Sequence, residues 1–200
     1  MLLTVGCLAQ KRTFQATMFN EFKPSVVTFK DGHQSRQPLT NVFLKNSALL
    51  FLQNDYTMEA NMDNIVAVDF INDRSFVVIN KQLAYFVDSV GSNKLYCIEL
   101  FDIDSYERNL KNNVNIQNIE FGEQMSTTAV DLNVEDDFKL PVFRHYYFLY
   151  NGNYVHVHER DLGKVLSKEN KTMMKRIIAL PDFSWQDEKS LKKLLEAITE

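Results

Sequence analysis

The chain has 200 residues, 45% of them hydrophobic and 12% aromatic, a composition that sustains a sizeable core and excludes a disordered chain. A formal net charge of −4 and a pI near 5.6 argue against a nucleic-acid binder. Six scattered glycines exclude the clustered glycine loops that cradle phosphate, and the two cysteines, Cys7 and Cys97, are too few for a disulfide framework.

The opening MLLTVGCLAQKRT reads as the end of an export signal: an apolar run, then small and polar residues. It lacks a basic n-region, so the natural start is expected upstream of Met1. Cleavage after Ala9 would leave Gln10 first. A second reading makes Thr4-Val5-Gly6-Cys7 a lipoprotein signal with Cys7 lipidated, although Thr4 stands where such signals favour Leu. A third makes the segment the buried first strand of a cytosolic protein. No other segment approaches the ~18 apolar residues of a membrane-spanning helix, so no transmembrane span is expected.

From Thr13 to about Leu100, short apolar runs alternate with turn residues: TFQATMF, SVVTF, NVFLKN, ALLFLQN, NIVAVDF, SFVVIN, LAYFVDSV and KLYCIEL. They are rich in Val, Ile and Phe, as strands are. Asp31-Gly32, Asn46-Ser47 and Asn72-Asp73 mark turns, and Ser89 to Asn93 reads as a longer loop. Cys97 falls inside a strand and reads as a small buried hydrophobe. Such spacing predicts an antiparallel body, a small barrel or sandwich. The cadence VVTFKDG, FLKNSALLFLQN, MEANMDNIVAVDF resembles an SH3-like barrel.

Asp104 to Leu110 predicts a short helix capped by Asp104, ended at Asn112-Asn113. Asp102 and Asp104 flank Ile103, a pair that can do acid–base work or bind calcium but that more commonly caps helices. Alternation resumes from Val114 to Leu132. The acidic stretch NVEDDFKLP, with Glu135, Asp136 and Asp137, reads as a solvated loop and a domain boundary. The predicted organisation is a leader over 1–9, a β-rich body over 10–134, and a hairpin with C-terminal helices over 135–200.

HYYFLYNGNYVHVHE, His145 to Glu159, holds three of the four histidines. Asn151-Gly152 is a strong two-residue hairpin turn. It sets Tyr150 opposite Asn153, Leu149 opposite Tyr154, Phe148 opposite Val155 and Tyr147 opposite His156. Continuing outward pairs Tyr146 with Val157 and His145 with His158. One face then carries Tyr146, Phe148, Tyr150, Val155 and Val157, the core side, with Glu159. The other gathers His145, Tyr147, Leu149, Tyr154, His156 and His158. Opposed Cβ atoms lie about 4.5–5.5 Å apart, so His145, His156 and His158 can converge on one ion, by default zinc. The same face also suits a half-exposed hairpin, and it carries no carboxylate to orient a ligating imidazole.

RDLGKVLSKENKTMMKRIIAL reads as helix in two parts, with Arg160, Lys164, Lys168, Lys171, Lys175 and Arg176 outward. Those six cations could meet an anionic surface or an acidic partner; with Glu169 among them they also suit a solvated face. Ser184 to Asp187 resembles a capping box, and Trp185 beside it suits a staple. Leu191, Leu194, Leu195 and Ile198 form one apolar stripe of a last helix. There is no nucleophile elbow, P-loop, dinucleotide fingerprint or zinc-protease helix.

YYFLYNGNYVHVHERD, the basic helical stretch and LPDFSWQDEKSLKKLLEAI resemble the C-terminal third of uncharacterised exported proteins of Bacteroidetes bacteria, and the leader ending in Ala9-Gln10 is similar to theirs. That resemblance implies an envelope or secreted setting and brings no known activity. The expectation is thus an α+β protein: an antiparallel β-rich body, a late hairpin and C-terminal helices. Its expected function is non-catalytic binding in the periplasm or at the outer membrane, with no cofactor and an envelope protein or anionic surface as partner. The alternatives are a metal-binding module or metal-dependent hydrolase using zinc at the three histidines, and a cytosolic regulatory domain.

Overall fold

A computed structural model describes residues 16–54, 56–112 and 140–199. The expected leader with Cys7, the alternation from Val114 to Leu132 and the acidic Glu135–Asp137 run lie outside them. The described chain forms β1 (Lys23–Phe29), β2 (Gln34–Phe43), β3 (Ala48–Gln53), β4 (Tyr56–Glu59), β5 (Ile65–Phe70), β6 (Ser75–Ile79), β7 (Gln82–Val90) and β8 (Asn93–Phe101). Helix α1 (Ile103–Asn112), β9 (Val142–Tyr150), β10 (Asn153–His156), α2 (Glu159–Val165), α3 (Lys168–Ile178) and α4 (Glu188–Thr199) follow.

All ten strands join one antiparallel sheet in the order β10-β9-β8-β7-β6-β5-β1-β2-β3-β4. Asn residues supply several of the tight turns by taking left-handed backbone, with φ of 60° at Asn72 and 50° at Asn80. The sheet curls into a half-barrel. The β2–β3 turn crosses to strands far from it in sheet order: the Ser47 hydroxyl donates to the Leu83 carbonyl at 2.7 Å, and the Phe101 amide donates to the Leu44 carbonyl at 2.8 Å. The concave face holds the core, including Val27, Val42, Val68, Phe76, Leu83, Leu95 and Phe148.

Helix α4 packs into that concavity. Its stripe Leu191, Leu194, Leu195 and Ile198 is buried throughout, as the spacing predicts. Polar contacts fix its end: Asn93 Nδ2 donates to Thr199 Oγ1 at 3.1 Å, and the Tyr150 hydroxyl donates to the Ile198 carbonyl at 3.1 Å. Asn170 ties α3 to the same carbonyl at 2.8 Å.

The α+β expectation holds as a curled antiparallel sheet with its helices mostly C-terminal. The strands read as SH3-like lie within this one sheet, and β9 pairs along β8 across the expected 134/135 boundary. Several local expectations are corrected. The Ser89–Asn93 loop is a tight turn at Gly91-Ser92 between long strands. Asp102, not Asp104, caps α1, accepting from the Ser105 amide at 2.9 Å and hydroxyl at 2.6 Å. Asp187, not Ser184, caps α4, accepting from the Ser190 amide at 2.8 Å. Of TFQATMF, the described residues 16–19 form an isolated bridge, Thr17 to Phe43, in place of a strand. The short edge strand β4 was not foreseen.

Candidate functional site along the edge of β9

The hairpin folds in the predicted register, with Tyr150 opposite Asn153 and Tyr147 opposite His156. The turn residues Asn151 and Gly152 have φ of 48° and 80°, the left-handed pair that a two-residue turn needs. Tyr146, Phe148, Tyr150, Val155 and Val157 are all buried. The opposite face joins a second apolar cluster on the outside of the sheet, where Tyr147 and Leu149 pack on Ile79, Ala84, Tyr96 and Ile98.

The two arms are unequal, and this creates the site. β10 ends at His156, and the Val157 amide adds one more bond to the Tyr146 carbonyl at 2.8 Å. The chain then turns into α2, so the expected pairing of His145 with His158 does not form. His158 is instead the N-cap of α2, with its Nδ1 accepting from the Arg160 amide at 3.3 Å. Glu159, expected on the core side, is exposed in the first turn of α2.

β9 runs four residues beyond its partner, from Val142 to His145. Strand alternation fixes where their backbone groups point. The Asp102 amide bonds to the Pro141 carbonyl at 2.9 Å, so Pro141, Phe143 and His145 address β8. Val142 and Arg144 therefore turn their N–H and C=O groups to the other side. Among the described residues no strand pairs with them there. A cleft of about 430 Å³ lies along this edge, walled by His156, Val157 and His158 on one side and by Trp185 and Gln186 on another. A comparable cavity near Asn46, Asp63 and Gln82 is different in kind. Its polar groups satisfy one another, as in Asn46 to Glu59 at 2.8 Å and Lys81 to Asp63 at 2.8 Å.

All three expected metal ligands line the cleft. The ring centroids of His145 and His156 are 6.3 Å apart, and those of His156 and His158 are 6.2 Å apart. Among the described residues no three His, Cys, Asp or Glu side chains stand close enough together to hold a metal ion as placed. The lone pair of a neutral imidazole serves one partner, and that of His158 is committed to the α2 cap. Burial, then the neighbouring His156, lowers the pKa of His145 and favours its neutral form. The carboxylate missing from the strand face arrives from α2, with Asp161 3.5 Å from His156 Nδ1. Lys164, at 2.6 Å, holds Asp161 below the usual carboxylate range.

Arg144 reaches the cleft from the concave side. Its Nε donates to Glu99 at 2.9 Å, and the Tyr85 hydroxyl lies 3.3 Å from the same carboxylate oxygen and 3.5 Å from Glu188. Glu99 is buried while the Arg144 side chain is 46% exposed, so the guanidinium extends from an anchored base toward solvent. Trp185 stands edge-on to Phe183 at 4.9 Å and partly packs on the core, as a staple would.

The six expected surface cations divide between two helices. Arg160 and Lys164 lie on α2. Lys168, Lys171, Lys175 and Arg176 lie on α3, after a break at Leu166-Ser167 where Ser167 caps the new helix. Arg144, Asp161 and the outward backbone of Val142 were not anticipated as site groups. The unequal arms, nine residues of β9 against at most six before α2, were the available signal. No protein-family model matches the chain, no curated protein matches it, and no solved structure matches it.

Proposed function

We propose that the protein is a non-catalytic binding module of the cell envelope that captures an extended polypeptide on the edge of β9 beyond β10. One observation carries the binding part: the backbone of Val142 and Arg144, which no described strand pairs, opens on a cleft with side-chain walls. Main-chain groups at alternate positions are what an added strand satisfies, and cleft walls give such addition its selectivity. The envelope setting is supported by the leader-like N-terminus and by the resemblance of the C-terminal third to exported Bacteroidetes proteins.

A fluorescein-labelled, end-blocked eight-residue peptide of alternating Thr and Val tests the capture by anisotropy. Binding that Val142→Pro abolishes is the expected result, since Pro deletes an edge-facing N–H without touching the β8 ladder. Binding unchanged in Val142→Pro contradicts it. Fractionation of cells making the native protein tests the setting, and recovery from the cytosol alone refutes export.

A second reading has its own observation, the approach of His145 to His156 with Asp161 behind the latter. It is a metal-binding module, or a metal-dependent hydrolase, in which both imidazoles ligate zinc and Asp161 orients one of them.

A further inference from the structure

The cleft also specifies what its occupant should carry. We infer that the segment captured on β9 is acidic, with an Asp or Glu side chain directly opposite Arg144; this rests on the proposed capture at that edge. A residue paired with Arg144 on an added strand projects from the same face of the sheet as Arg144 does. It therefore meets the guanidinium on the concave side, beside Trp185 and Gln186.

The guanidinium is prepared for a carboxylate. Its Nε is held by buried Glu99, which is itself within reach of the Tyr85 hydroxyl. No contact within the described chain engages the two terminal nitrogens of Arg144, and its side chain is 46% exposed. A fork anchored at one edge with its outer donors open matches the two oxygens of a carboxylate. Glu99, the nearest acid, is already spent on Arg144 and Tyr85. Asp161 is spent on Lys164. A basic residue opposite Arg144 would meet like charge at cross-strand distance.

The same geometry disfavours a second copy of this chain as occupant. Pairing two β9 edges would crowd two sets of cleft walls, each carrying His156, His158 and Trp185, against one another. It would also put two Arg144 guanidiniums on one short ladder.

Three end-blocked eight-residue peptides of alternating Thr and Val, with one central Thr replaced by Glu, Gln or Lys, provide the test. Blocked ends exclude a terminal carboxylate as the source of any signal. The Glu peptide is expected to bind about tenfold more tightly than the Gln peptide, and the Lys peptide most weakly. Arg144→Lys keeps a cation on Glu99 but loses the fork, and should bring Glu and Gln within about twofold. Glu99→Gln leaves the guanidinium in place and should retain the preference for Glu. Equal binding of all three peptides, lost together in Val142→Pro, overturns the acidic preference and leaves edge capture standing. Absence of binding by every peptide overturns both. Self-association of the chain that Val142→Pro abolishes assigns the edge to a second copy and overturns the inference.

Discussion

Two adjacent residues of β9 test the alternation on which the cleft depends. Phe148 is fully buried on the concave face, whereas Tyr147 is half-buried on the outer cluster. A core aromatic buries roughly 150–250 Å², which at about 25 cal/mol/Å² is worth about 4–6 kcal/mol. Measured Phe→Ala costs of about 3–5 kcal/mol agree. Phe148→Ala should therefore cost about 4 kcal/mol. Tyr147→Ala should cost about 1–2 kcal/mol, since water already reaches one side of the ring. Against a total of about 5–15 kcal/mol, the first loss is a large fraction and the second is not. Urea unfolding followed by far-UV circular dichroism and by Trp185, the sole tryptophan, reads both. Equal costs, or a larger cost at Tyr147, would refute the assignment of faces.

Three further outcomes are expected. Ser190 donates its amide and hydroxyl to Asp187, holding that carboxyl below its ordinary pKa of 3.8. A depressed folded pKa adds stability above the unfolded value and loses it as pH falls through the folded one. Asp187→Asn should therefore flatten the decline of the urea midpoint below about pH 4, and an unchanged acid limb contradicts the cap. Cys97 is buried, which pushes its thiol up to about 12, so in a Cys7→Ser background it should react with a disulfide reagent only on unfolding; prompt native labelling contradicts this. A rise in Tm with added zinc should require His145 and His156 and survive His158→Ala. Dependence on all three imidazoles contradicts the cap role of His158, and no rise at all removes the metal reading.

Much of this architecture is legible in the sequence because local chemistry and tertiary packing agree. Asn151-Gly152 fixes the hairpin register, and the Leu191–Ile198 stripe fixes the buried face of α4. What stays hidden depends on groups distant in sequence. Nothing near Ser47 announces Leu83, so the curl cannot be read from periodicity. Nothing near Glu99 announces Arg144. The cleft lies between these cases. Period-two alternation places the histidines correctly as far as His156, then carries His158 one pair too far, because a helix N-terminus competes with the strand for its imidazole. The arrival of Asp161 beside His156 follows from the same early turn.

Among the described residues, Val142 and Arg144 turn backbone groups to the cleft that no strand pairs, while Phe143 and His145 are bonded to β8. Residue-resolved amide hydrogen exchange of the native full-length chain measures this directly. Fast exchange at Val142 and Arg144, with slow exchange at Phe143 and His145, is the predicted pattern. Uniform protection from Val142 to His145 would contradict the account, for the edge would then already be paired.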